Sequence, residues 1–584
     1  MKNTCKTLLA LLLCAALLLC CGCGGEEAST PSGPSGEVGY RPVSNVETNW
    51  DVTQSVDESF DFEQYKADEH EKWYLGYETS LELWTPFSWK SCNRSFANYS
   101  ALSTVKDITG VDITCNVALS DATEALYMMM TTGNWPDIIT LDGSTPIVNE
   151  LIDGGYVYSL SELAELYDPD FLTSIPQAMY QAGCVKGDGV MWGMVSDICA
   201  EWKYEDGQVH GNLGNQGYMV RYDIWKALGE PSIATPDDLY NTLKLFKEKY
   251  PTLDGKPSIA VAGYGTNGDG TLLTIGYSFG LKQDISVNYD DNTVTSRFLD
   301  PNFEEYAVFL NKLYREGLLD PEFFVKGAQQ STETAASNAF MMPWVYHALD
   351  EANVILKQND ENSVFVAIPP MSATGKDFSF RGSSRMNGSS IAFVTKKCSD
   401  PVAALRIMRY GASPAGSLQM YKGNPGEHYL VTDGVMYQSD EVFNAVQSGN
   451  FAEWNLTQGV NDFYFFYYSP TEEGQCVSAL REEYDIPNTW QYSYDGTNEL
   501  YKMSVDTTTD AGIAYTYLTQ IGWTEQARAI TASSEAECRQ IVQEMQAEIR
   551  KVNNLDKLEE FWTNQYRANI EDFGTGMWGD PNPN

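Results

Sequence analysis

Strand-like and helix-like runs take turns along the chain from Leu81 to Leu141, and that alternation leaves few folds open. Leu81 to Leu83 alternates apolar and acidic residues, and the run ends at Pro86. Ser100 to Thr109 reads as a helix closed by Gly110. Val111-Asp112-Ile113-Thr114-Cys115 alternates by twos and is β-branched, the pattern of a strand. Asp121 to Thr132 reads as a helix, with Glu124 at capping-box spacing from Asp121 and Gly133 as the stop. Ile138-Ile139-Thr140-Leu141 follows as a buried strand. The order predicts α/β layering.

The same vocabulary continues. Val190 to Val195 and Gly217 to Tyr222 read as strands, and Ile224 to Leu228 as a helix. Thr235-Pro236-Asp237-Asp238 combines a Thr cap, a first-turn Pro and two acids, a strong helix start. That helix runs to Lys249 and sets Leu239, Leu243 and Phe246 on one face. Phe303 to Arg315 is helical, Val364 to Ile368 and Ser390 to Thr395 are strands, and Asp400 to Tyr410 and Glu535 to Val552 are helices. Residues 51 to 76 are polar with sparse anchors at Phe60, Phe62 and Tyr65, and residues 440 to 520 are aromatic-rich without a clear period. A chain of 584 residues exceeds one ordinary core, so two to four domains are expected.

The start of the chain carries a different signal. Lys2 and Lys6 precede an apolar stretch from Leu8 to Cys21, too short to span a bilayer comfortably and right for a secretory leader. Leu19-Cys20-Cys21-Gly22-Cys23 resembles a bacterial lipobox, with Cys20 where Leu is usual. The expectation is a signal peptide over 1–22, lipidation at Cys23, a flexible Gly/Ser/Pro/Glu tether over 23–50, and a body held on the extracytoplasmic face of the cell membrane by lipid alone. Lys and Arg number 38 against 80 Asp and Glu, a net charge of -42, which repels phosphate backbones and argues against nucleic acid. Cys92, Cys115, Cys184, Cys199, Cys398, Cys476 and Cys538 show no CxxC and no zinc or iron–sulfur spacing. Four His make an all-His metal site improbable, and no cofactor is called for.

Taken as a set and in order, several segments resemble the extracellular solute-binding proteins of ABC importers, the family 1 type that includes maltose-binding protein, in its long Gram-positive lipoprotein branch. They are "MMMTTGNWPDII" (128–139), "ELIDGGYVYSLSEL" (150–163), "GVMWGMVSD" (189–197), "MVRYDIWKALGEPSIATPDDLYNTLKLFKEKYP" (219–251), "LYREGLLDPEFF" (313–324), "AFMMPW" (339–344) and "SSIAFVTKKCSDPVAALRIMRY" (389–410). The likeness covers about 80 to 430. It implies a type II periplasmic-binding-protein fold, two α/β lobes joined by a hinge with a ligand cleft between them. Transferred here, 78–195 plus 347–410 form the first lobe and 196–346 plus 411–584 the second. It further implies a monomer that closes on its ligand and is accepted by a membrane permease.

A sugar has apolar faces and a rim of hydroxyls, which rings and carboxylates can answer. Trp135 and Asp137 are placed toward the cleft by the resemblance; Asp137 could instead accept from nearby backbone N–H groups and shape the loop. Trp84, Phe87 and Trp89 follow the first strand, at the carboxyl end where open α/β sheets bind ligands. Glu201, Trp202 and Tyr204 follow the first proposed crossing, Trp344 lies at the second, and Arg381 and Arg385 flank a Gly-Ser-Ser run. Lys249 to Gly255, where long relatives can carry a calcium loop, has too few acids for that ion, and Gly263 to Gly270 reads as a loop without nucleotide-site spacing. The expected ligand is a carbohydrate, an oligosaccharide above all; a peptide ligand, or a glycan-cleaving enzyme with paired carboxylates, are the alternatives.

Overall fold

The computed structural model describes Val43 and residues 55–573, apart from 58, 88–93, 119–121, 144, 146, 197–202, 206–207, 211–215, 265–268, 346–348, 358–359, 361–362, 376–387, 389, 433–434, 449, 461–462, 464, 467–499, 501 and 507–508. Two mixed sheets organise it. In chain order their strands are β1 (Thr79–Thr85), β2 (Val111–Val117), β3 (Ile138–Leu141), β4 (Met194–Ser196), β5 (Gln216–Arg221), β6 (Ile259–Val261), β7 (Ala339–Val345), β8 (Phe365–Ile368) and β9 (Ser390–Val394). The first sheet has the order β2-β1-β3-β9-β4 and the second the order β6-β7-β5-β8.

In the first sheet β1, β2 and β3 are parallel, and β9 runs antiparallel to both β3 and β4. Helices α1 (Phe62–Trp73), α2 (Ser100–Thr109) and α3 (Ala122–Thr132) belong to this lobe. Its core joins Leu83, Ile113, Ile139, Val195 and Phe393 to Trp73 and Leu102. In the second sheet β6 is parallel to β7, while β5 runs antiparallel to β7 and β8. Tyr218 and Val220 face one apolar cluster and Met219 another, the two-residue period of a strand covered on both faces.

Helix α4 (Pro236–Lys249) begins as its sequence requires: Thr235 Oγ1 accepts from Asp238 N at 3.2 Å and Asp238 Oδ2 accepts from Thr235 N at 3.0 Å. Leu239, Leu243 and Phe246 are buried in the second lobe with α5 (Asp269–Ser278) and α6 (Phe303–Arg315). After β9, helix α7 (Pro401–Gly411) returns to the first lobe, where Arg406 donates to the carbonyl of Trp73 at 2.9 Å. The chain ends on α8 (Asp510–Ile530), α9 (Glu535–Ile549) and α10 (Leu555–Phe573), which pack with the second lobe through Leu518, Met545 and Trp562. Among the described residues no helix is long and apolar enough to cross a membrane.

The lobe boundaries differ from those expected. Residues 349–371 belong to the second lobe: Leu349, Ala352 and Leu356 pack with Met219 and Met342, and β8 is hydrogen-bonded to β5. The described residues from 411 to 466 belong to the first, where Met420, Phe463, Phe465 and Phe466 share the core of Leu102 and Ile407. The reason is burial. Phe463 packs edge-on against Phe96 with centroids 4.7 Å apart and Phe466 lies against Gly411 of α7, partners of the first lobe and not of the second sheet. The chain therefore crosses between Ser196 and Gln216, between Gly375 and Ser390, and between Phe466 and Leu500. Beyond the last crossing, Lys502 Nζ donates to the carbonyl of Cys184 at 3.2 Å, a bond from one lobe to the other.

Gly110 illustrates how tightly the first lobe is set. It closes α2 at φ 80°, and a Cβ there would stand 2.5 Å from the Tyr77 carbonyl oxygen and 2.9 Å from the Tyr74 ring. Only glycine suits both the left-handed backbone and the gap. Gly110→Ala is expected to cost about 2 kcal/mol or more, read as a lower urea midpoint; an unchanged midpoint would show that the turn relaxes.

Candidate functional site

Strand polarity fixes which edges of the two sheets face the crossings. The chain leaves the first lobe at Ser196, the carboxyl end of β4, which pairs with Ser390 at the start of β9. It enters the second at Gln216, paired with Val345 at the carboxyl end of β7. It leaves the second beyond Ile368, the carboxyl end of β8. Each described crossing of this pair thus runs between carboxyl edges, the edges where open α/β sheets take ligands.

On the second lobe that edge carries Trp344. Its ring is half-buried and stacked against Tyr264, with centroids 6.2 Å apart and planes at 22°. Beneath it lies the first turn of α5. A Cβ on Gly270 would come within 2.6 Å of Trp344 Cδ2, so the ring rests on bare backbone. The loop before α5 is tied by Gly270 N donating to the Tyr264 carbonyl at 3.1 Å and Tyr264 N donating to Thr271 Oγ1 at 3.1 Å. Beside it, half-buried Asp269 accepts from Gly270 N at 2.8 Å, and burial raises its carboxyl above the ordinary value. Two stacked rings, a carboxylate and a helix start make a surface suited to a solute with apolar faces and hydroxyl groups. Trp344 is not at a crossing, as the sequence suggested; it lies inside β7, near that strand's carboxyl end.

The first lobe's carboxyl edge carries fewer of the expected groups. Trp84 is 8% exposed and forms part of the core, paired across the ladder with Asn116 and Ile139, so it is no cleft-lining ring. Phe87 follows β1, is half-buried, and donates its N–H to Thr85 Oγ1 at 3.3 Å. Asp142 stands exposed just beyond β3. Neither Asp142 nor the Tyr264–Asp269 pair was singled out from the sequence. The carboxyl-end rule applied to β3 and β6 would have found them.

Trp135 and Asp137 occupy the opposite edge, which corrects the expectation that they face the cleft. They precede β3, whose amino end pairs with Val394 at the carboxyl end of β9. Trp135 is half-buried against Tyr156, with centroids 5.2 Å apart. Asp137 is 9% exposed; its Oδ2 accepts from Glu82 N at 2.7 Å and its Oδ1 from Ser399 N at 2.6 Å. The carboxylate clamps β1 and the turn after β9 to this loop, the shaping role that the sequence had left open. Tyr204 lies in a hairpin, Lys203–Glu205 with Gln208–His210, in the first crossing. Cys23, Trp89, Glu201, Trp202, Arg381 and Arg385 lie outside the described residues. After α4 ends at Lys249, residues 252–257 form a tight hairpin with Asp254 and Gly255 at positive φ. Among the described residues no group of three or more His, Cys, Asp or Glu is arranged to hold a metal ion.

Comparison with known proteins bears on the fold. No family model matches the chain. The fructooligosaccharide ABC transporter substrate-binding protein FusA of Streptococcus pneumoniae is 26% identical over 224 residues, 37% of this chain and 40% of that protein. An uncharacterised Niallia circulans protein from the butB 5' region is 28% identical over 143 residues, 24% of this chain and 54% of that one. The chain thus matches about half, or less, of the length of these curated relatives. Among solved structures, alginate-binding protein AlgQ2 without calcium ion superimposes with a TM-score of 0.61 at 16% identity, covering 85% of this chain and 99% of the other. S. pneumoniae FusA in complex with kestose gives 0.60 at 16% identity, with 85% and 100% covered. An HMO-binding solute-binding protein from Bifidobacterium longum infantis gives 0.58 at 14%, with 84% and 98% covered. The fold is the type II periplasmic-binding-protein fold, two α/β lobes with mixed sheets.

Asp137 gives a direct test of its structural role. Asp137→Ala removes the acceptor of two part-buried N–H bonds and is expected to destabilise the protein by about 1–3 kcal/mol. Urea unfolding reads that loss. An unchanged midpoint would mean that water replaces the carboxylate.

Proposed function

We propose that the protein is an extracellular solute-binding lipoprotein of an ABC importer. It captures a carbohydrate, an oligosaccharide, in a cleft between the carboxyl edges of its lobes and delivers it to a membrane permease. One observation carries this reading: the Trp344–Tyr264 pair, stacked over Gly270 beside Asp269 at the edge nearest the crossings. Such rings offer a plate to the C–H face of a sugar, and Asp269 offers an acceptor to its hydroxyls. Phe87 and Asp142 of the first lobe would meet the solute from the other side, so that contacts made to both lobes favour the closed state. Alginate-binding, HMO-binding and kestose-bound proteins are among the similar structures, which supports a sugar over a peptide. The protein is read as a binder that leaves its ligand intact.

Isothermal titration of the full chain carrying Cys23→Ser against fructo-, manno- and uronate oligosaccharides tests the site. At least one class should bind, and Trp344→Ala should weaken it by roughly tenfold or more while the unfolding midpoint stays close to the parent. Binding of oligopeptides with no response to any glycan would overturn the sugar reading, and cleavage of a bound glycan would overturn the non-enzymatic one.

The proposed anchor is tested separately. Cys23→Ser should abolish incorporation of labelled palmitate and release the protein from the membrane fraction. Persistent labelling of that variant would move the anchor to another cysteine.

A further inference from the structure

The second lobe contains another cavity, of about 910 Å³, that the proposed sugar site does not use. It lies at the amino edge of the second sheet, lined by Ser258 and Ile259 at the start of β6 and by Asn338 just ahead of β7. Trp344 is six residues further along β7, roughly 20 Å at the rise of a strand. The two places are therefore separated by the length of the sheet. The volume is that of a small organic ligand, larger than a bare ion requires.

The lining is cationic in a chain whose net charge is -42. Lys247, Lys256, Arg315 and Lys326 all border the cavity, with Asp320, Glu322 and Glu333. Some of these charges are already matched. Lys326 is held by Asp320 at 2.6 Å, with Glu322 at 3.5 Å, and also donates to Thr334 Oγ1 at 3.0 Å. Glu333 is exposed at the rim. Lys256 donates to Ser337 Oγ at 3.0 Å, and Arg315 uses its Nε on Asn311 at 2.8 Å. Four cations against three carboxylates leave the lining a net charge of +1.

Lys247 is the centre of the argument. It comes from the last turn of α4, is half-buried, and makes one hydrogen bond among the described residues, to the carbonyl of Ser258 at 2.5 Å. An ammonium has three donors, so two remain for an acceptor in the cavity. No carboxylate among the described residues pairs with it, and burial lowers its pKa from the ordinary lysine value. Next to it, Ser258 is 3% exposed and its hydroxyl has no hydrogen-bond partner. Buried polar groups are rarely left in that condition without a reason. An acceptor placed against Lys247 would meet both needs, since a serine hydroxyl can turn between staggered positions to reach it.

We propose that this cavity is a second ligand site, one that takes a small oxyanion of the carboxylate or phosphate class against Lys247 and Ser258. Lys256 and Arg315 add long-range attraction, and Asn338 fixes the wall by donating to the Pro257 carbonyl at 2.6 Å. The acids at the rim set a limit on ligand charge. Glu322 and Glu333 would repel a bulky polyanion, so a compact molecule with one or two anionic groups fits best.

Titration of the full chain carrying Cys23→Ser with sodium succinate and, separately, with sodium phosphate tests the site by calorimetry. At least one should bind saturably with one-to-one stoichiometry, and which one binds separates carboxylate from phosphate. Lys247→Met should weaken that binding by roughly tenfold or more, and Ser258→Ala by a few-fold. Trp344→Ala should leave it unchanged, which keeps this result independent of the fate of the sugar site. Should Lys247→Met fail to fold, isotope-labelled lysine, assigned through Lys247→Arg, gives a second readout: the Lys247 ammonium pKa should rise when the anion saturates. Lack of saturation by both anions in the millimolar range, equal affinity in Lys247→Met, or an unmoved Lys247 titration would each overturn the proposal.

Discussion

The first lobe closes only because β9 slides between β3 and β4. Ile391 pairs with Leu141 on one side and Val195 on the other, and Phe393 pairs with Ile139. The partners precede β9 by about two hundred residues on β4 and about two hundred and fifty on β3, and the central part of the second lobe lies between β4 and β9. The hydrogen bonds of β3 and β4 along their inner sides have no other partner in the sheet. Hence the polarity of β9 governs everything downstream: running antiparallel, it starts at the carboxyl edge, where the chain arrives from the second lobe. Both lobes therefore turn the same kind of edge toward the connections, and the stacked rings of the second lobe stand on that edge.

Folding must meet the cost of that arrangement. Pairings so distant in sequence require large loops to be closed before they are rewarded, which slows folding more than it weakens the final state. The second lobe's sheet can form within 216–368, but its outer layer waits for residues 500–573. There, Arg539 binds Glu304 at 2.7 Å and Glu305 at 2.6 Å, joining α9 to α6. Neither lobe is a continuous stretch of chain, so the first and last parts of the sequence are committed to different lobes.

Much of the local structure was legible. Thr235-Pro236-Asp237-Asp238 specified the start of α4, Phe303–Arg315 matched its helix, and the β-branched runs near 111, 138 and 390 became strands. These signals lie within one or two turns and depend on no distant contact. Helix α1 was missed because its apolar anchors are sparse; it is held by Trp73 in the core and by Arg406 on its last carbonyls, contacts that local pattern does not encode. The fate of residues 411–466 was misread for the same reason, since Phe463 is as hydrophobic against one lobe as against the other. The site was legible in part. Trp344 was singled out and lies at the edge where the site is proposed, but Trp135 drew attention as a large ring in a polar loop, and only strand polarity reveals that its loop is on the far edge. The run Gly263 to Gly270 was set aside for lacking a phosphate motif, yet its last glycine is where the Trp344 ring rests.

The threefold passage of the chain between lobes has a mechanical meaning. Beside the third passage Lys502 holds the Cys184 carbonyl, a polar tie added to the covalent ones. Severing one connection would leave the molecule in one piece, because each lobe is stitched from separate segments by buried apolar surface.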